Sequence, residues 1–136
     1  AHMMREHDFV KRELFLFDTF EGLPKGDGYH VQGQYKGTLE DVGQIKKVKI
    51  FKGRFEDTKE NVDMHERFSL VNIDVDLKVV LEDCLKFFYP RMTEKSIMVV
   101  HDYCEVTGSK ALIDDFAWQH GCMVIPQSGT QCYLIP

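Results

Sequence analysis

No stretch of this chain reaches 18 apolar residues in a row, so it offers no membrane span, and no secretory signal is expected ahead of its first apolar run. It has no internal repeat and no low-complexity tract, and it holds only four prolines and ten glycines. It also lacks a stripe of Lys and Arg that could neutralise phosphates, and its net charge is −5, which argues against a nucleic-acid partner. The nearest basic run, Lys46, Lys47, Lys49, Lys52 and Arg54, alternates in part along an expected strand and reads as a solvated face. Its four cysteines (Cys84, Cys104, Cys122, Cys132) form neither a CxxC pair nor a zinc spacing. With an ample core available, they read as reduced thiols of a cytoplasmic protein, Cys84 as a buried one on a helix face. What remains is a globular composition, 43% hydrophobic and 29% charged over 136 residues. That length suits one domain. Ala1-His2-Met3 reads as a cloning remnant before Met4, which leaves residues 4–136 as a single domain.

Strand and helix patterns alternate. Glu13 to Asp18 (ELFLFD) is a nearly continuous apolar run, as expected of a strand buried on both faces. Residues 25–37 read as a long loop, and Thr38 with Asp41 as the start of a short helix to about Lys46. Val48 to Phe51 is a second strand, and Asp57-Thr58 is expected to cap a short helix from Lys59 to about His65. Ser69 to Ile73 is a third strand. Asp76 is then expected to cap a helix over Leu77 to Tyr89, whose Leu77, Val80, Leu81, Cys84, Leu85 and Phe88 recur at three- and four-residue spacing and which Pro90 ends. Ile97 to Val100 is a fourth strand. Gly108-Ser109 opens a helix carrying Leu112, Phe116 and Trp118 on its stripe, closed by Gly121. Met123 to Ile125 and Cys132 to Ile135 are joined by a hairpin connection, so the last strand should run antiparallel to its neighbour. The whole describes an open α/β sheet with a terminal antiparallel hairpin.

Three expected strand tips carry polar residues: Asp18; Asp74 with Asp76; and His101 with Asp102. Neighbouring parallel strands put their C-terminal ends on one edge, where ligands bind. Residues about 27 positions apart, such as Asp74 and His101, then face each other. Clustered carboxylates repel, and a cation or a bound proton resolves the conflict. Oxygen ligands favour Mg²⁺, while an imidazole moves the preference towards Mn²⁺ or another transition metal. His101 also fits a strand-end residue or a general base near neutral pH. An acid after an early strand of such a sheet commonly accepts hydrogen bonds from ribose hydroxyls, which gives Asp18, with Glu21 nearby, a cofactor reading beside that of a turn former.

The ordered blocks LFDTFEGLP, FKGRFEDT, NIDVDLKVVLEDCLKFFYPRM, VVHDY and GSKALIDDF resemble the macrocin O-methyltransferase family from about Leu14 onward. The resemblance implies a Rossmann-like class I methyltransferase sheet and an O-methyltransferase that uses S-adenosylmethionine on a sugar or other small-molecule hydroxyl acceptor. It implies that Asp18 and Glu21, with Phe20 and Gly22 of the same loop, lie near the cofactor ribose, and that the Gly53-Arg54-Phe55 turn lies near its adenine. It places Asp74, His101 and Asp102 where family members hold a divalent metal, usually Mg²⁺, with Asp74 doubling as general base. The sugar methyltransferases tend to have Asp-Asp-Tyr where this chain has His101-Asp102-Tyr103.

About ten residues from Met4 onward precede Glu13 and none form the family's Gly-rich loop, so the chain is expected to correspond to the family's C-terminal two-thirds. A central strand missing from the sheet would leave two inner edges, from which a homodimer or a domain swap is expected. The alternative function is a non-catalytic family remnant that oligomerises or binds another ligand. LFDTFEGL also bears a superficial resemblance to the haloacid dehalogenase signature, but that chemistry wants Gly-Thr where Glu21-Gly22 stands.

Overall fold

The computed structural model describes residues 12–22, 42 and 47–136, in two compact units, Ala1–Asn61 and Val62–Pro136. Apart from residue 42, the expected loop over 25–37 and the short helix after Thr38 lie outside the described residues.

In the first unit, β1 (Leu14–Asp18) and β2 (Val48–Lys52) pair in parallel, with Asp18 opposite Lys52. Aromatic side chains knit the pair: Phe15 and Phe17 stack on Phe51 at centroid distances of 5.6 and 4.5 Å. Helix α1 (Phe55–Thr58) follows, continued by a 3₁₀ turn over Lys59–Asn61. Asp57 and Thr58 therefore sit inside this helix instead of capping a later one. The physical reason is local: Asp57 N and Thr58 N both donate to Arg54 O at 3.1 Å, so the chain is already helical when it reaches them. The basic run behaves as a solvated face where it is described. Lys49 Nζ pairs with Glu13 at 2.8 Å, Arg54 pairs with Glu56 at 2.8 Å, and both pairs are exposed.

The second unit holds a mixed sheet in the order β3-β4-β6-β5, built from β3 (Phe68–Ile73), β4 (Met92–Val100), β5 (Met123–Pro126) and β6 (Cys132–Ile135). β3 and β4 run parallel, while β6 runs antiparallel to both of its neighbours, as the hairpin spacing requires. β4 starts earlier than the apolar pattern suggests. It pairs Met92 with Phe68, then bulges through Lys95, at φ 58, before Ile97 meets Leu70.

Helix α2 (Lys78–Phe88) joins β3 to β4, and α3 (Ser109–His120) joins β4 to β5. Alternation along the strands buries Val71, Ile73, Met98, Val100, Cys132 and Leu134, while Leu81, Leu85, Ile113 and Phe116 supply the buried helix positions. Two expectations need correction. Leu77, not Asp76, is the residue preceding the first turn of α2, and no side chain caps that end. Asp76 lies one residue too early, because Val80 N and Leu81 N take Leu77 O as their acceptor. Trp118 is 89% exposed and lies off the buried stripe of α3, which runs through Ile113, Phe116 and Ala117. Gly121 ends α3 in the left-handed region, at φ 71, as its position predicts. All four cysteines are free thiols. No helix among the described residues is long and apolar enough to cross a membrane.

Candidate functional site

In the first unit, the tips of β1 and β2 meet at one edge: Gly53 N donates to Asp18 O at 3.0 Å. This bond brings the Asp18 loop against the Gly53-Arg54-Phe55 turn. Asp18 Oδ1 accepts the Phe20 N–H at 2.7 Å and Thr19 Oγ1 accepts the Glu21 N–H at 3.2 Å. These side-chain turns hold Phe20 at φ 58, with Gly22 at φ 74. Gly53 has φ 143, and a Cβ there would stand 3.0 Å from Thr58 Cγ2. Only glycine lets the backbone turn that closely. Phe20 and Phe55 are buried, and Phe55 packs edge-on to Phe17 at 5.3 Å. Their rings therefore belong to the packing of this edge, while Asp18, Glu21 and Arg54 are its exposed polar groups.

In the second unit, His101 N donates to Ile73 O at 2.9 Å and carries the β3–β4 ladder one step past the strand ends. Asp74 thus comes beside His101, with Oδ1 4.0 Å from Nδ1; the Asp74 side chain is 64% exposed and that of His101 28%. Asp102 turns the chain out of the sheet at φ 58. Its carbonyl accepts the Cys104 N–H at 2.7 Å and the Ser109 hydroxyl, which ties the start of α3 to the strand tip.

The expected Mg²⁺ or Mn²⁺ site on Asp74, His101 and Asp102 is not assembled in this arrangement. Among the described residues, no group of three His, Cys, Asp or Glu side chains is placed to hold a metal ion. Asp102 lies at a left-handed corner, and an amide lies against the His101 ring. The amide belongs to Gln131, whose Nε2 lies 3.1 Å from Nε2 and 3.3 Å from Nδ1 of His101.

Gln131 is a site residue that sequence reasoning missed. Its only signal is the hairpin, which returns β6 beside β4. The cluster of Tyr103, Lys110 and Asp114 was missed as well. Tyr103 donates its phenol hydrogen to Asp114 Oδ1 at 2.8 Å, and Lys110 Nζ reaches Asp114 Oδ2 at 2.7 Å and lies 5.3 Å over the Tyr103 ring. Burial and the neighbouring Asp114 carboxylate raise the Tyr103 pKa. Burial works against the Asp114 charge, but the bonds from Lys110 and Tyr103 outweigh it and hold Asp114 below its ordinary value. The i,i+4 spacing of Lys110 and Asp114 is the trace this cluster leaves in the sequence. Cys104 Sγ, 3.4 Å from Thr107 Oγ1, has its pKa lowered by that hydroxyl.

Parallel strands with polar tips in each unit, and the closing antiparallel hairpin in the second, match the α/β fold of class I methyltransferases, and solved structures of such enzymes superpose on the chain. The O-methyltransferase NovP matches with a TM-score of 0.81 over 98% of this chain, at 19% identity. CalS11, described as a TDP-rhamnose 3'-O-methyltransferase of calicheamicin biosynthesis, matches at 0.64 over 91% and 19% identity. A precorrin-6y C5,15-methyltransferase from Geobacter metallireducens matches at 0.53 over 90% and 17% identity. The chain spans 63% of the NovP chain and 58% of the CalS11 chain. Comparison with curated protein sequences returns no match. Residues 40–125, more than half of the chain, match the macrocin O-methyltransferase family, and the chain belongs to that family.

Proposed function

We propose that this chain transfers a methyl group from S-adenosylmethionine to a hydroxyl of a small molecule, with a sugar as the leading acceptor class. The supporting observation is the pairing of Asp74 with His101 at the β3–β4 tip, in a chain that belongs to an O-methyltransferase family.

The polar groups of the β1–β2 edge suit the cofactor. The exposed Asp18 carboxylate, with Glu21 in the same loop, offers acceptors for a pair of ribose hydroxyls, and Gly53 with Arg54 shapes a turn beside it. Bound S-adenosylmethionine supplies an electrophilic methyl on a positively charged sulfur. Asp74 would receive the proton of the acceptor hydroxyl as its oxygen bonds the methyl carbon and the sulfur–methyl bond breaks, its electron pair passing to sulfur so that S-adenosylhomocysteine leaves. His101 hydrogen-bonds the acceptor or Asp74 and holds the pair in register. Asp102 shapes the exit of the chain from the strand.

Titration calorimetry with S-adenosylmethionine and S-adenosylhomocysteine tests the reading. Saturable binding that weakens in Asp18→Ala is expected. Absence of binding at millimolar ligand would defeat the activity while leaving the fold untouched.

A further inference from the structure

Among the described residues, four strands stand at sheet edges: β1 and β2 in the first unit, β3 and β5 in the second. An edge strand offers a row of open main-chain N–H and C=O groups to any other strand, and charge, proline or shortness discourages that pairing. Three of the four edges carry such a feature. β2 has Lys49 and Lys52, β1 ends on Asp18, and the four residues of β5 end on Pro126. β3 differs: its six residues, FSLVNI over Phe68–Ile73, hold no charge and no proline.

The ladder with β4 fixes what the other edge of β3 offers. His101 N donates to Ile73 O at 2.9 Å, so the main chain of Ile73 faces β4. Main-chain polar groups alternate in direction along a strand, as side chains alternate in face. Those of Val71 therefore face β4 too, while those of Leu70 and Asn72 point away from it, where no described strand lies. The side chains of the same two residues are exposed, Leu70 at 60%, whereas Val71 and Ile73 are buried.

Such an edge is complementary to itself. A two-fold axis perpendicular to the sheet sets two copies of β3 antiparallel and keeps their buried faces on one side. With the axis at Val71, Leu70 of each copy lies opposite Asn72 of the other, and each of these outward-facing pairs exchanges both of its main-chain hydrogen bonds. No like charges meet along the seam, and the exposed Leu70 gains cover. We propose that β3 is a self-association edge, at which a second copy of this chain pairs antiparallel along Phe68–Ile73 and joins the two four-stranded sheets into one. The joined sheet ends on β5 in each copy, where Pro126 and the short strand stop further growth. The antiparallel seam sets the two Asp74 tips at its opposite ends, so each copy keeps its own candidate site. The proposal stands apart from the methyl-transfer reading and does not need it.

Sedimentation equilibrium of the full chain over rising concentration tests it. A reversible species of twice the 15.8 kDa chain mass is expected. Asn72→Pro deletes an N–H that points away from β4, so it should keep the fold, followed by circular dichroism, and lose the dimer. Leu70→Lys puts a charge on the seam and should lose it as well. Leu70→Cys mixed with Asn72→Cys, each in a Cys104→Ser, Cys122→Ser background, should form a disulfide between copies on mild oxidation. Opposite Cα atoms of a hydrogen-bonded antiparallel pair lie about 5.5 Å apart, within disulfide reach. Leu70→Cys mixed with Met64→Cys, whose position is 71% exposed but outside β3, should not. A wild type that stays monomeric at high concentration overturns the proposal, as do assembly beyond two copies, a dimer that persists in the folded variants, and equal disulfide yields in the two mixtures. If Asn72→Pro does not fold, Leu70→Lys decides, because its side chain already stands in solvent.

Discussion

Tyr103, in the loop after β4, donates to Asp114, in the second turn of α3, across 2.8 Å, and Lys110 holds the other oxygen of the same carboxylate at 2.7 Å. One carboxylate therefore ties the loop that leaves the candidate site to the helix behind it. Tyr103→Phe is expected to cost about 1 kcal/mol, the ordinary net worth of such a bond, measured by urea unfolding. Lys110→Met should cost less, because its ion pair with Asp114 is exposed and screened by solvent. The double variant should deviate from the sum, because both partners share Asp114. Strict additivity would show that the three groups do not act together. The sign with pH follows from the lowered Asp114 pKa: its contribution is present above the ordinary carboxylate range and is lost as the pH falls through the folded value.

Gly53 is a backbone position that tolerates a side chain poorly. Gly53→Ala combines a φ of 143° with a Cβ only 3.0 Å from Thr58 Cγ2, and a loss of about 1–3 kcal/mol is expected. Thr58→Ser removes that methyl while keeping the hydroxyl that bonds Arg54 O at 2.9 Å. It should recover part of the loss and leave the backbone strain. Full recovery in the double variant would show that the contact alone mattered.

Asp18 has two separable duties. Asp18→Asn keeps an acceptor for the Phe20 N–H, which Oδ1 takes at 2.7 Å in the wild type, so folding should be nearly unchanged. It removes the charge proposed to meet the ribose. S-adenosylmethionine affinity should then fall about tenfold or more, in line with the worth of hydrogen bonds to charged groups. Equal affinity in Asp18→Asn and wild type would remove Asp18 from the cofactor site.

Cys132 is fully buried, and burial, helped by the nearby Asp114 charge, pushes its thiol up to about 11 from 9.0. The folded state therefore holds this proton more tightly than the unfolded chain. Stability should be intact below pH 9 and decline by about 2–3 kcal/mol as the pH rises to 11. Cys132→Ala should be less stable at neutral pH, through the cavity it leaves, yet flatter across that alkaline window. A parallel decline in both proteins would assign the alkaline loss to other groups, such as Tyr89, Tyr103 and Cys122, whose pKa values are also raised.

Much of the architecture was legible in the amino acids. The apolar runs of β1 and β3, the three- and four-residue spacing on α2, Gly121 at the end of α3 and the closing hairpin all rest on local rules of periodicity and turn chemistry. Helix starts were less legible. Asp57 and Asp76 looked like caps, yet main-chain bonds to Arg54 and Leu77 begin those helices, because the chain's exit from each strand chooses the first turn. Trp118 looked like part of an apolar stripe and is a surface residue, since only packing decides which side of a short helix is covered.

The same division runs through the candidate site. The sequence by itself determined that acids and a histidine follow the strands, and it carried the family resemblance through ordered blocks of residues. Opposition of Asp74 and His101 was readable too, from a separation that matches one β-α-β crossover. Only the tertiary structure decided what His101 faces. A left-handed corner turns Asp102 out of the ladder, and the antiparallel return of β6 brings Gln131 from 30 positions away to the imidazole. Contacts between residues so far apart along the chain depend on sheet register, which no local pattern specifies.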